Sequence, residues 1–237
     1  MMESHWVCSG IDAIADRHYR HWSLGQIEHG LDSAMGPPPP LVTISSPLAS
    51  GGEEIAAGVA IALGCPLHDR DLIPEMARHA HVAEELIGSL DERVCGPVDI
   101  WLESLFGHGL FDFEDFRCTL FEVVEDLARL GPSVILGRGV NFLPHTVRRL
   151  DVRVVAPMEA RIARLMERLG VGQKAAMAAI KASDSDRRKF TRSVHGADWD
   201  SLAGYDLFID TGILPLSEAV SYVHSAWSER ARVCEVR

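Results

Sequence analysis

The sequence lacks any uninterrupted apolar run long enough to cross a bilayer; the nearest, Ile55 to Leu67, is broken by Gly58, Gly64 and Pro66. It also lacks a C-x-x-C pair. Its five cysteines, Cys8, Cys65, Cys95, Cys118 and Cys234, are odd in number and widely spaced, which argues against a disulfide framework or a zinc site and fits reduced thiols. The 11 histidines are scattered as well. His79 and His81 stand two apart on an expected helix and so point to different faces, which argues against a metal pair. Positive charge is scarce, with 23 Lys and Arg against 34 Asp and Glu and a net charge of −11. That balance opposes non-specific attraction to nucleic acid or anionic lipid. The first residues, with Glu3 and His5, have no apolar core of a secretory signal, so the expected location is cytoplasmic. What the chain does have is apolar material: 47% of 237 residues, ample for a core without metal or disulfide staples.

The run Gly36 to Pro40 (GPPPP) must be extended and cannot continue a helix. It separates an arm over residues 1–40, helix-compatible from about Ile11 to Ala34, from a main domain at 41–230. In that domain short β-branched runs alternate with helices. Leu41 to Ser45 reads as a strand, and Gly51 to Leu63 as a helix stopped by Gly64. Further strands are expected at Ser133 to Leu136, Asp151 to Ala156 and Asp206 to Asp210. Pro157 opens one helix, running to about Arg168, and another follows Pro215. This alternation predicts an α/β fold with a parallel sheet covered on both faces. Two stretches interrupt it: a mostly helical insert at 66–131 and a charged segment at 172–200. Insertions at strand ends of such sheets are where ligands are gripped.

The loop after the first strand reads Ser45-Ser46-Pro47-Leu48-Ala49-Ser50-Gly51-Gly52-Glu53-Glu54. Strand, small-residue loop and helix together aim backbone N–H groups and the helix dipole at an anion. The loop resembles a Walker A phosphate loop, with Ser46 at the first glycine, Gly51 at the last and Gly52 where the lysine belongs. Other segments extend the likeness: Leu67-His68-Asp69-Arg70-Asp71-Leu72-Ile73, Val134-Ile135-Leu136-Gly137-Arg138-Gly139, Val155-Ala156-Pro157, Asp184 to Arg187, Asp198-Trp199 and Tyr205 to Thr211. In this order and spacing over residues 41–224, the chain resembles the cytidylate kinase-like family, a branch of the P-loop nucleoside monophosphate kinases.

The resemblance implies a three-layer α/β/α P-loop kinase fold, with an acceptor-side insert at 66–131 and a lid at 181–200. It also implies phosphoryl transfer from ATP with Mg²⁺ to a nucleotide such as CMP or to a similar small molecule. The family pattern strand-S-R-x-x-G-S-G-G-R-E-I matches Ser45, Ser50, Gly51, Gly52, Glu54 and Ile55. This chain departs from it at Ser46, Ala49 and Glu53, which replace an arginine, a glycine and a second arginine. Phosphoryl transfer needs positive charge on the transferred oxygens, and here the loop supplies none from side chains. The alternative reading is therefore a nucleotide-binding or regulatory module on a kinase fold that does not catalyse.

The site candidates follow. Ser46, Ala49, Ser50, Gly51, Gly52, Glu53 and Glu54 form the nucleotide loop, with Glu54 the metal-ligand candidate. Residues 181–192 gather Lys181, Arg187, Arg188, Lys189 and Arg192 against Asp184 and Asp186; Arg187, Arg188 and Arg192 are the lid arginines expected to close on phosphate. Arg138, between two glycines after a buried strand, is a further catalytic candidate. Asp69, Arg70 and Arg78 are the acceptor candidates. Arg161, Arg164 and Arg168 recur at surface spacing on one helix and read as solvated. Residues 84–126 hold twelve carboxylates against Arg93 and Arg117, a charge that suits an uncharged or cationic acceptor, or a basic partner, better than a monophosphate. The expected partners are a nucleotide and a small-molecule acceptor, with neither nucleic acid nor a membrane. The arm and the acidic insert are the surfaces for self-association or a protein partner.

Overall fold

The computed structural model describes residues 40–69, Leu72 and 113–232. The arm, Arg70, Arg78, His79, His81, most of the acidic insert and Cys8, Cys95 and Cys234 lie outside the described residues. Five parallel strands form one sheet: β1 (Leu41–Ser45), β2 (Leu67–His68), β3 (Val134–Leu136), β4 (Arg149–Val155) and β5 (Leu207–Asp210), in the order β2-β3-β1-β4-β5. The helices are α1 (Gly52–Leu63), α2 (Phe113–Leu130), α3 (Met158–Leu169), α4 (Gln173–His195) and α5 (Leu216–Arg232), with a 3-10 turn at Val140–Phe142 after β3.

Sequence and burial agree on why β1 is central. All five of its residues are buried, as expected for a strand covered on both faces. One face of the sheet meets Phe116, Leu120, Val123 and Leu127 of α2 and Phe190 and Val194 of α4. The other meets Ile55, Ala56 and Val59 of α1 and Ala219 and Val223 of α5. A smaller cluster, Ile162, Leu165, Ala176 and Ile180, joins α3 to α4 and packs beneath Leu48 and Ala49 of the loop. Trp227 of α5 donates its indole N–H to the Pro40 carbonyl at 2.6 Å, pinning the start of the domain.

Two features differ from the expectation. The charged stretch at 172–200 is mostly one continuous 23-residue helix, α4, ended by left-handed Gly196. The arginines of α3 are not all solvated. Arg161 is buried, and its Nη1 and Nη2 donate to both oxygens of Asp184 on α4 at 2.8 and 2.7 Å. Arg164 donates to the hydroxyl and carbonyl of Thr211 at 2.7 and 2.8 Å. Helical spacing puts these residues on one face, and that face meets the loop, α4 and the end of β5 rather than water.

At the opposite, N-terminal edge of the sheet, Arg149 is fully buried against Asp151 (2.9 Å) and donates to the carbonyls of Asn141, Leu143 and Pro144. Asp151 also accepts from Thr43 Oγ1 at 2.5 Å. This satisfied cluster braces the sheet on the side away from the loop. No helix among the described residues is long and apolar enough to cross a membrane.

Candidate functional site

The site lies at the C-terminal ends of β1, β2 and β3. Register sets it: Ile44 pairs with Leu136, and the Gly137 N–H donates to the Ile44 carbonyl at 2.8 Å. The loop after β1 and the Gly137-Arg138-Gly139 turn therefore leave the sheet at the same level, beside one another. Ligands bind in open α/β sheets at this edge.

The loop is held from inside. Ser50, fully buried, donates its hydroxyl to the Pro47 carbonyl at 2.8 Å, and its own carbonyl accepts from Thr211 Oγ1 at 2.6 Å. Arg161 Nε donates to the Leu48 carbonyl at 2.8 Å, so the Arg161–Asp184 pair also anchors the loop. Ala49 has φ +61° and Gly51 φ +91°. These left-handed residues turn the chain into α1, whose first-turn N–H groups have no acceptor within the helix. The family glycine at position 49 is thus replaced by alanine, whose Cβ makes that left-handed conformation cost about 1 kcal/mol more than glycine. Gly52 is explained by packing: a Cβ there would overlap Oγ and Cβ of Ser46. The lysine position of a Walker loop is filled in space by the Ser46 side chain.

A cavity of about 490 Å³ opens over this loop. Ser46, Ala49, Gly51, Gly52, Glu53 and Glu54 line it from the loop side. Asp69 lines it after β2, Arg138 after β3, and Ser183, Asp186, Arg187 and Phe190 from α4. Ser50 lies beneath, as a support. Of the three lid arginines, only Arg187 reaches the cavity. It is half-buried, desolvation lowers its pKa, and its side chain bonds to Ser183 one turn back on its own helix. Arg188 is turned outward to Asp200 at 2.6 Å, beside Trp199, and Arg192 is exposed off the cavity lining.

The sequence reading did not assign Arg168 to this site, yet it lines the cavity and its Nη1 lies 2.7 Å from Glu53 Oε2. It also lines a second hollow of about 310 Å³ with Ala49, Glu54, Arg164, Glu167 and Leu216. Asp184 and Thr211, likewise unassigned, sit in the D-x-x-R and Y-D-L-F-I-D-T segments, which is the signal that could have found them.

Arg138 holds φ +59° between two left-handed glycines. Its carbonyl accepts from His195 Nε2 at 3.2 Å, so the proton is on Nε2. A Cβ at Gly139 would overlap that imidazole. Burial pushes the His195 pKa down to about 4, so the ring is neutral in the folded protein near pH 7. A strained backbone turn held by a neutral histidine from the end of α4 ties the turn to the lid helix.

Arg153 of β4 is buried, donates to Ser45 Oγ at 2.8 Å and stacks 4.1 Å from the Trp199 ring, supporting the loop from below. Cys65 is buried with its pKa pushed up to about 12, an unreactive thiol, while Cys118 is exposed; both are free. No group of three or more metal-binding side chains occurs among the described residues. Glu54 shares the cavity lining with the carboxylates of Glu53, Asp69 and Asp186 without forming such a group, an arrangement that suits a magnesium ion carried largely by phosphates and water.

A family model described as the cytidylate kinase-like family matches residues 41–213. Among solved structures, an uncharacterized protein from Eubacterium ventriosum ATCC 27560 is similar, with 17% identity, a TM-score of 0.59 and coverage of 80% of this chain and 98% of that one. A gluconokinase from Sinorhizobium meliloti 1021 matches at 14% identity and TM-score 0.44, covering 82% and 95%. A shikimate kinase from Bacteroides thetaiotaomicron matches at 12% and 0.42, covering 80% and 98%. No curated protein matches the chain.

Proposed function

The chain belongs to the cytidylate kinase-like family, and from that premise we propose that it transfers a phosphoryl group from ATP to a nucleotide or similar small molecule. The observation that carries this is Arg187. Its guanidinium is drawn out of bulk water into a cavity floored by first-turn amides, and its side-chain hydrogen bond goes to a neutral hydroxyl. The carboxylates of Asp184 and Glu53 also act on this guanidinium, but Asp184 is bonded to Arg161 and Glu53 to Arg168, while Arg188 is paired with Asp200. A desolvated cation with this surrounding favours an anion, and a polyphosphate satisfies both it and the amides.

The residues fit such a ligand. The N–H groups at 51–54 would take phosphate oxygens, Arg187 would offset charge on the transferred group, and Arg138 would reach it from the β3 side. Asp69 would accept a hydrogen bond from the acceptor and orient it. Mg²⁺ would be held by Glu54 directly or through water, and supplies Lewis-acid charge on the phosphates. Neutral His195, through the Arg138 carbonyl, keeps the turn and α4 in one arrangement. Closure of α4 over the loop would exclude water from the transferred group.

The test is ADP release across an acceptor panel that begins with CMP. Turnover should be lost in Arg138→Ala and Arg187→Ala, and unchanged turnover in both variants would remove their assigned roles. A second reading, nucleotide binding without transfer, is favoured by the overlap a Cβ at Gly52 would make with the Ser46 side chain and by the carboxylate at position 53. Steady ADP production above a no-protein control would eliminate it.

A further inference from the structure

Glu53 and Arg168 come from different elements, the first turn of α1 and the last turn of α3, and both line the cavity over the loop. Their contact, 2.7 Å from Nη1 to Oε2, is made at the cavity mouth, with 40% of the arginine and 56% of the glutamate side chain exposed. An ion pair exposed to this degree contributes little stability and exchanges partners readily. A carboxylate makes the same demand on a guanidinium as a phosphate does: two oxygens accepting N–H bonds from one fork.

We propose that Glu53 is a built-in stand-in for phosphate, holding Arg168 at the loop when the site is empty and yielding it to a polyphosphate when one binds. The proposal rests on the reading of this cavity as a polyphosphate site and adds a regulatory contact to it. Three features fit. Arg168 is the one cation of α3 at the cavity wall; Arg161 and Arg164 are fixed on Asp184, Leu48 and Thr211. Glu53 is itself among the first-turn residues whose amides would meet the phosphates, so its carboxylate opposes the incoming charge. The loop also has no side-chain cation of its own, so Arg168 is the nearest available replacement on the α3 side. Glu53 thus sets an affinity threshold, because a ligand must outcompete it for Arg168.

The test is isothermal titration of ATP with Mg²⁺, and separately of inorganic tripolyphosphate, into the wild-type chain, Glu53→Gln, Arg168→Gln and the double variant. Releasing one partly screened negative charge should tighten binding about three- to tenfold in Glu53→Gln, and Arg168→Gln should weaken it. The pairwise comparison decides the mechanism. If Glu53 competes for Arg168, the gain from Glu53→Gln shrinks when Arg168 is absent. If Glu53 is merely a repelling charge, removing its counter-ion makes the gain equal or larger. An equal or larger gain, or no tightening at all, overturns the stand-in while ATP binding by the wild type leaves the nucleotide reading intact. Tripolyphosphate following the expected pattern without ATP binding supports the stand-in and overturns the nucleotide reading. Absence of binding by all four proteins overturns both.

Discussion

Asp184→Asn isolates the contact that joins the phosphate loop to the lid helix. Asp184 and Arg161 are both more than nine-tenths buried, with two guanidinium bonds between them and a third from Arg161 to the Leu48 carbonyl. The amide keeps the shape and removes the charge, leaving Arg161 buried without its counter-ion. Breaking one side of such a pair costs about 3–5 kcal/mol. In a chain of 237 residues each kcal/mol moves the melting temperature by about 2–4 °C, so Tm should fall by about 6–20 °C in a calorimetric scan. Replacing both partners, as in Arg161→Met with Asp184→Leu, should recover most of that loss, since no charge is then stranded. It should not recover ligand binding, because the Leu48 carbonyl loses its donor and the loop its anchor. A single variant within about 1 °C of wild type would refute the reasoning, and so would a double variant no better than the single.

Other outcomes follow from the same geometry. Gly52→Ala should destabilise by about 1–3 kcal/mol through overlap with Ser46, and Ser46→Gly in the same chain should restore Tm. Ala49→Gly should raise stability by up to about 1 kcal/mol, since glycine carries no penalty at φ +61°. For His195, whose folded pKa lies at about 4 against an ordinary 6.5, the unfolded chain binds the extra proton between those values. Its contribution is complete above pH 6.5 and falls away as pH drops toward 4, by about 1–3 kcal/mol after allowing for partial exposure. Denaturant midpoints of wild type and His195→Gln across pH 4–7 should therefore converge at the acid end, and parallel curves would contradict this.

Much of the sheet was legible because apolar periodicity and turn residues are local signals. β1 matches its expected span, β3 and β5 begin one residue later than read, and β4 begins two residues earlier, at Arg149. That earlier start was hidden because a buried arginine looks like a strand breaker until its carboxylate and three carbonyl partners are known. The site was legible in part. Loop, Arg138, Asp69 and Arg187 share one cavity, but the spacing of arginines along 181–192 could not say which of them faces it. On a 23-residue helix, positions 183, 187 and 190 share a face, whereas 188 and 192 turn away. Arg161 and Arg164 depart from the surface reading for a related reason: helical spacing tells which residues share a face, and their partners lie 23 and 47 residues away.

The most direct test of the central claim is the affinity for ATP with Mg²⁺ of wild type and Arg187→Gln, read alongside their ligand-free melting temperatures. The wild type should bind, and the variant should bind at least about tenfold more weakly, as expected for losing one charge-assisted contact. Its ligand-free Tm should be unchanged or higher, because a desolvated cation has been removed. Equal affinity in the two proteins would contradict the assignment of Arg187 as the phosphate-binding cation of this site.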